Sequence, residues 1–352
     1  MIDPKPQMSG VLLTGHGGLE CLEYRDDLPL PVPKQDEVLI KVGAAAVNNT
    51  DINTRSGWYS KGEQSAADAG WTGAPIELPR IQGIDVCGKI VAVGKGSDPA
   101  RVGERVLVEP CLYEREGTAL TIPEFLGSER DGGFAEYVAV PARHAFRIES
   151  DLSDTELASF PCSYSTAENL LTRSGVTSGE RVLITGASGG VGSAAVQLAR
   201  ARGAVVIAVS SSDKMARIRE IGADHMVDRS ADLISSLGRN SVDVVIDLVA
   251  GGLFPVLLDL LKWRGRYAVA GAIGGAITRL DMRTLYLKDL SFFGCTALDA
   301  GVFENLVRLI EENRIRPLVA ATYPLNEITT AQEAFLAKQH IGKIVLEVGV
   351  LA

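Results

Sequence analysis

Residues Arg181-Val-Leu-Ile-Thr-Gly-Ala-Ser-Gly-Gly-Val-Gly192 decide how this chain is read. A short apolar strand, Val182 to Ile184, runs into a glycine-dense turn. Val191, Ala194, Ala195, Leu198 and Ala199 then recur at helical spacing. Glycines at 189, 190 and 192 allow a sharp turn, close approach to a bulky anion and tight packing of helix on strand. The start of such a helix directs N–H groups and the positive end of its dipole at a diphosphate. Ala187, Ser188, Gly189, Gly190, Val191 and Gly192 are therefore expected to cradle a dinucleotide. Ala187 stands where the first glycine of G-x-G-x-x-G would be, so the turn alone is weak evidence. A helix predicted over 190–202, then a buried strand Ala204-Val-Val-Ile-Ala-Val209, completes the strand-turn-helix-strand unit that the motif needs.

The end of that second strand selects the dinucleotide. An acid that would bind the adenosine ribose is expected about 20 residues past the glycines. The chain there reads Val209-Ser-Ser-Ser-Asp-Lys214. A carboxylate at 210 would repel a 2′-phosphate by about 4 kcal/mol per unit charge at about 4 Å and an effective dielectric of about 20. Ser210 removes that repulsion and, with Ser211, offers hydroxyls, while Lys214 supplies a cation. NADP(H) is expected over NAD(H). Ser212 also suits the N-cap of a helix predicted over 213–220.

The 352 residues are enough for two domains. The net charge of −9, with no basic cluster beyond what a solvated helix face carries, argues against nucleic-acid binding. The longest apolar runs, such as Leu253 to Leu261, are too short to span a bilayer, so no membrane association is expected. The opening Met-Ile-Asp-Pro-Lys-Pro lacks the apolar core of a signal peptide. Five scattered cysteines with no C-x-x-C pair form neither a disulfide framework nor an evident structural zinc site, which fits a cytoplasmic location.

The texture of the chain changes along its length. Up to about residue 150, short strands punctuated by Gly and Pro suggest a partly open β-barrel: Val11–Thr14, Glu37–Val42, Cys87–Val93, Glu104–Val108 and Ala135–Val140. From about 163, strands near 182, 205, 243, 265 and 290 alternate with helices, as in a doubly wound parallel sheet. A helix Val302–Asn313, a helix Ile328–Lys338 and a strand from Lys343 close the chain. The expected division is 1–162 with 297–352, and 163–296.

Several blocks in order resemble the medium-chain dehydrogenase/reductase superfamily, most nearly its zinc-free quinone-oxidoreductase branch. They are Asp36-Glu-Val-Leu-Ile-Lys-Val42, Val47-Asn-Asn-Thr-Asp51 with Arg55, Gly57 and Tyr59, Gly83-Ile-Asp-Val-Cys-Gly88, Asp131-Gly-Gly-Phe-Ala-Glu-Tyr-Val138, Ala187-Ser-Gly-Gly-Val-Gly192 and Gly342-Lys-Ile-Val-Leu346. The resemblance implies an α/β protein with a GroES-like barrel as catalytic domain and a Rossmann domain for NADP(H). It also implies a homodimer joined along Leu290-Ser-Phe-Phe-Gly-Cys295.

In zinc-dependent relatives the metal is held by residues at the positions of Asn48, Ile84 and Cys162, with an acid at Asp85. A catalytic zinc needs three protein ligands, and one good ligand of three does not hold it. No metal is expected. By the same resemblance Cys111 is the one cysteine kept from a structural-zinc lobe, and Cys111 and Cys162 are expected as small buried hydrophobes.

Lacking a Lewis acid, the site is suited to an acceptor that is already electron-poor, a quinone or an α,β-unsaturated carbonyl. By resemblance, Asn48 and Tyr59 are expected to face the acceptor. Thr166, Val249 with Ala250, and Gly271 with Ala272 are expected near the nicotinamide, and Lys343 at the coenzyme. Asp51 and Arg55, four apart on a helix, are expected to form a structural ion pair. Trp58, Tyr59, Trp71 and Pro79 frame a long polar stretch, and Trp58 and Trp71 are expected to wall the acceptor site. The competing expectations are a zinc-dependent alcohol dehydrogenase-like enzyme and a non-catalytic NADPH-binding protein of sensor or crystallin type.

Overall fold

A computed structural model describes residues 6–61, 70–71 and 75–349. The chain divides into two compact units. One holds the chain up to Cys162 and again from Pro317, the other Ser163–Arg316.

The first unit is built on strand Glu37–Val47, which is buried along nearly its whole length because both of its faces are covered. Antiparallel partners Cys87–Val93 and Tyr137–Pro141 flank its first part, and the closing strand Lys343–Glu347 pairs with Ala44–Val47. Strands Arg105–Val108, Ala145–Arg147 and Val319–Pro324 complete a seven-stranded sheet. A three-stranded sheet (Leu22–Pro29, Gln7–Leu13, Arg80–Ile81) and the hairpin Cys111–Arg115/Thr118–Phe125 stand apart. Strand Glu37–Val47 leads into the short helix Asn49–Ser56, which ends on Gly57 in the left-handed region at φ 72°.

In the second unit six parallel strands run in the order His225–Asp228, Val205–Ser210, Arg181–Ile184, Val242–Asp247, Leu261–Val269, Ser291–Gly294. Numbered along the chain within the unit, this is 3-2-1-4-5-6, the doubly wound dinucleotide-binding order with its reversal beside strand Arg181–Ile184. Interior strands read Val/Ile/Leu-rich because helices cover both faces.

The return to the first unit falls at Pro317, not at the expected 297. Helix Val302–Glu311 buries Val302, Phe303, Leu306 and Ile310 within the second unit. Polar ties hold the segment there: Asn169 Nδ2 donates to Ala297 O at 2.9 Å, Asn305 Nδ2 to Glu168 Oε1 at 2.8 Å and Arg316 N to Gln197 Oε1 at 2.9 Å. Among the described residues no helix is long and apolar enough to cross a membrane.

Candidate active site

The glycine turn follows strand Arg181–Ile184 and opens helix Gly190–Ala201. Gly186 makes the sharp bend, at φ +60°, and Gly192 sits so close that a Cβ would lie 2.1 Å from Gly186 O. Only hydrogen fits there. Gly189 is less constrained, since a Cβ would meet nothing nearer than 3.5 Å. Gly186, outside the expected glycine set, therefore does the work of the missing first glycine. Gly189 caps the helix with no side chain to engage its first N–H groups, which suits an anion.

Ser210 ends the neighbouring strand with only 4 % exposure, and its hydroxyl is buried without a hydrogen-bond partner. A buried hydroxyl with no protein partner is open to satisfaction by a ligand or an ordered water. Arg229 N donates to Ser210 O at 2.8 Å, bringing the end of strand His225–Asp228 alongside. Burial depresses Lys214 below the ordinary lysine range; Asp213 opposes that shift and Arg229 adds to it. Asp213 is held low chiefly by a hydrogen bond with Ser211. Two cations thus approach one serine-lined strand end. Arg229 lies outside the expected set, and the basic residue just after a neighbouring parallel strand was the signal available for it.

Two further loops of this unit meet. Buried Asp247 accepts hydrogen bonds from Thr185 Oγ1 (2.6 Å), Tyr267 Oη (2.6 Å), Val249 N (2.9 Å) and Ala250 N (3.1 Å). Ala250 is thereby held at φ +56°, a region that costs a non-glycine residue about 1–3 kcal/mol. Gly274 N donates to Val249 O at 2.7 Å, and a Cβ on Gly271 would lie 2.7 Å from Leu248 O. The loops bearing Val249 and Ala250, and Gly271 and Ala272, are therefore adjacent. Thr166 is the one partly exposed residue between 161 and 171.

In the first unit, Asn48 precedes helix Asn49–Ser56 and is 6 % exposed. Its amide is fully engaged. Nδ2 donates to Asp85 Oδ2 at 2.7 Å and to Ala46 O at 3.1 Å, while Oδ1 accepts from Lys343 Nζ at 2.5 Å. Neither amide hydrogen is left for an acceptor. Lys343 is itself buried, 2 % exposed, and its ammonium also reaches Asp85 Oδ2 at 2.9 Å. The other oxygen of Asp85 accepts Cys162 N–H at 2.6 Å.

Asp51 does not pair with Arg55. Its carboxylate accepts Asn48 N–H at 2.8 Å as a helix-start cap, while Arg55 donates to Gln332 Oε1 (3.1 Å) and Gly17 O (2.7 Å). The helical spacing is right, but each side chain finds a closer partner across the fold. Burial, helped by neighbouring Asp85, raises the Asp51 carboxyl to about 7.

Tyr59 is half-buried, its hydroxyl 3.3 Å from Thr50 Oγ1 and 3.4 Å from Asn53 Nδ2. Its ring stacks toward Trp71 at 5.7 Å and meets Trp58 edge-on at 5.4 Å. Trp71 stacks in turn on Phe125 at 4.2 Å. Trp71 thus lies between two rings, whereas Trp58, 46 % exposed, forms the outer end. Phe125 belongs to this group, and nothing near it in sequence pointed there.

The donor set does not suit zinc. Ile84 carries no donor atom, and the Asn48 amide is hydrogen-bonded throughout, which leaves Cys162 as one good ligand of three. Among the described residues no group of three or more His, Cys, Asp or Glu side chains could hold a metal ion.

Comparison with known proteins agrees with this layout. Residues 34–150 match the family described as alcohol dehydrogenase GroES-like domain, and residues 190–312 that described as zinc-binding dehydrogenase. The chain is 32 % identical to acryloyl-coenzyme A reductase of Metallosphaera sedula, over 96 % of this chain and 99 % of that one. It is 30 % identical to quinone oxidoreductase of Homo sapiens, over 96 % and 97 %. A crystal structure of a Sinorhizobium meliloti 1021 protein, provisionally described as an alcohol dehydrogenase, superposes with a TM-score of 0.91 at 49 % identity, covering 97 % of each chain. With a GroES-like domain, a doubly wound coenzyme domain and full-length relatives of this kind, the chain belongs to the medium-chain dehydrogenase/reductase superfamily of nicotinamide-dependent oxidoreductases, in its quinone oxidoreductase-like branch.

Proposed function

We propose that this oxidoreductase uses NADP(H), without a metal, to reduce a quinone or an α,β-unsaturated carbonyl compound. The observation that carries the reading is an intact dinucleotide cradle in a chain whose zinc-ligand positions hold Asn48, Ile84 and Cys162. The names of two relatives, a quinone oxidoreductase and an acryloyl-coenzyme A reductase, point to the same acceptor classes.

Ala187 to Gly192 would hold the diphosphate, and Ser210, Ser211, Lys214 and Arg229 the adenosine 2′-phosphate. Another relative is called an NAD-dependent alcohol dehydrogenase. The buried unpartnered Ser210 hydroxyl and the two cations favour the phosphorylated coenzyme here. Thr166, Val249, Ala250, Gly271 and Ala272 would flank the nicotinamide. The bound coenzyme supplies hydride. On the acceptor side, the Tyr59 hydroxyl, which donates to Thr50 Oγ1 at a long 3.3 Å, would turn to the acceptor oxygen, and its ring with Trp71 and Phe125 offers a flat apolar surface. Asn48, with its amide engaged, acts by holding the site together.

A homodimer is part of the proposal. Strand Ser291–Gly294 is an edge of the parallel sheet, and exposed Met282, Tyr286, Leu287 and Phe292 lie on or just before it. A second copy pairing there would cover both.

The test is one spectrophotometric panel following NADPH with quinones, enones, aldehydes and ketones, with and without a chelator. The reading expects coenzyme consumption with a quinone or an enone, unchanged by chelation. Consumption confined to aldehydes or ketones and abolished by the chelator would favour a zinc alcohol dehydrogenase. Tight NADPH binding with no turnover would favour the non-catalytic role.

A further inference from the structure

We propose that Lys343 is a positioning residue of the acceptor site: its buried ammonium holds Asn48 and Asp85 in register at the start of helix Asn49–Ser56. The inference rests on the reductase reading for its effect on rate.

Among the described residues Lys343 is the one buried lysine. Burying an ammonium is costly unless it is paired and hydrogen-bonded. Here it is both. Nζ donates to Asn48 Oδ1 at 2.5 Å and to Asp85 Oδ2 at 2.9 Å. Asp85 has no exposure at all, so without the ammonium its carboxylate would be an uncompensated buried charge. The cation is delivered to Asn48 by the closing strand, 295 positions away in the chain.

The pair organises three elements of this unit. Asn48 starts helix Asn49–Ser56, and Trp58 and Tyr59 follow just past its Gly57 cap. Asp85 fixes Cys162 N–H, and Lys343 opens strand Lys343–Glu347. Asn48 Nδ2 reaches Asp85 and Oδ1 reaches Lys343, so the three side chains form a closed ring of hydrogen bonds. A ring of this kind fixes the helix start, and with it the residues that face the acceptor, more rigidly than any one bond would. This assignment differs from the coenzyme contact expected of Lys343 by resemblance, because the ammonium is already engaged with Asn48 and Asp85.

The test uses Lys343→Met, Lys343→Arg, Asp85→Asn and the double variant Lys343→Met/Asp85→Asn in the full-length protein. Lys343→Met should lower kcat/KM for the acceptor at least ~10-fold while the Kd for NADPH, read by nicotinamide fluorescence, stays within ~2-fold. Lys343→Arg, which keeps the charge, should recover part of the rate. In urea unfolding the double variant should lose clearly less stability than the two single losses added together, because it removes the orphaned charge. A Kd for NADPH raised ~10-fold or more by Lys343→Met would overturn the proposal and make Lys343 a coenzyme contact. Additive stability losses in the cycle would also overturn it. Should the parent protein bind NADPH yet reduce no acceptor, the reductase reading fails, and the unfolding cycle and the coenzyme Kd still decide the role of Lys343.

Discussion

Arg229 N–H donates to the carbonyl of Ser210 at 2.8 Å, fastening two parallel strand ends together so that a guanidinium-bearing residue stands beside a buried, unpartnered hydroxyl. Charge-assisted hydrogen bonds to a phosphate contribute about 1.5–3 kcal/mol each. Arg229→Ala and Lys214→Ala should each weaken NADPH binding by ~10-fold or more and leave NADH within ~2-fold. Titration of nicotinamide fluorescence with both coenzymes checks this. Equal losses for NADPH and NADH would remove the 2′-phosphate assignment.

The buried carboxylate of Asp247 is shared among two hydroxyls and two backbone N–H groups. Tyr267→Phe deletes one donor while keeping the ring against Phe254, 5.2 Å away. It should destabilise the protein by about 1–3 kcal/mol in denaturant unfolding. The loop that Asp247 holds bears Val249 and Ala250, so coenzyme affinity should fall as well. Unchanged affinity would separate that loop from the coenzyme.

Gly192→Ala places a Cβ against backbone atoms, Gly186 O and Ala187 Cα, that have little freedom to retreat. A loss of about 1–3 kcal/mol in stability, with coenzyme binding much reduced, is expected. Gly189→Ala meets only an ordinary contact at 3.5 Å and should be far milder. Unfolding curves and coenzyme titrations of the two variants make the comparison.

Asp51 gives a pH signature of known sign. Its carboxyl titrates at about 7 in the fold, above the ordinary value of 3.8. A raised acid binds more protons folded than unfolded between those values, so its contribution to stability is full below about pH 4 and is lost as the pH rises through about 7. The stability of the parent protein should therefore decline over that window relative to Asp51→Asn, whose amide oxygen can still accept the Asn48 N–H. Urea midpoints at several pH values test this. Parallel profiles would contradict it.

Trp71 lies between Tyr59 and Phe125. Trp71→Ala should raise the acceptor KM severalfold and leave the NADPH Kd unchanged. An unaltered KM for quinones and enones alike would take the aromatic stack out of the acceptor site.

The coenzyme unit was legible because its signals are local. Strand, turn, helix and strand follow within thirty-odd residues, and the period of apolar residues changes where the elements do. Even there the bend belonged to Gly186, since the glycine pattern was counted from Ala187. What escaped the sequence is long-range. The segment 297–316 stays with the second unit through Asn169, Glu168 and Gln197, none of them near it in the chain. The Asp51–Arg55 pair follows from helical spacing, yet a backbone N–H and Gln332 offered better partners. Lys343 reached Asn48 from the far end of the chain, and Phe125 reached Trp71 from a separate hairpin. Residue types at the ligand positions were readable; the cation that occupies their neighbourhood was not.

The central claim is that this chain passes hydride from the phosphorylated coenzyme to an electron-poor acceptor with no metal ion assisting. Steady-state rates with NADPH and NADH should be measured on chelator-treated protein of verified metal content, using the best quinone or enone. The account predicts full activity in the metal-free protein and a kcat/KM at least ~10-fold higher with NADPH than with NADH. Activity that returns only when zinc is added, or a preference for NADH, would contradict it.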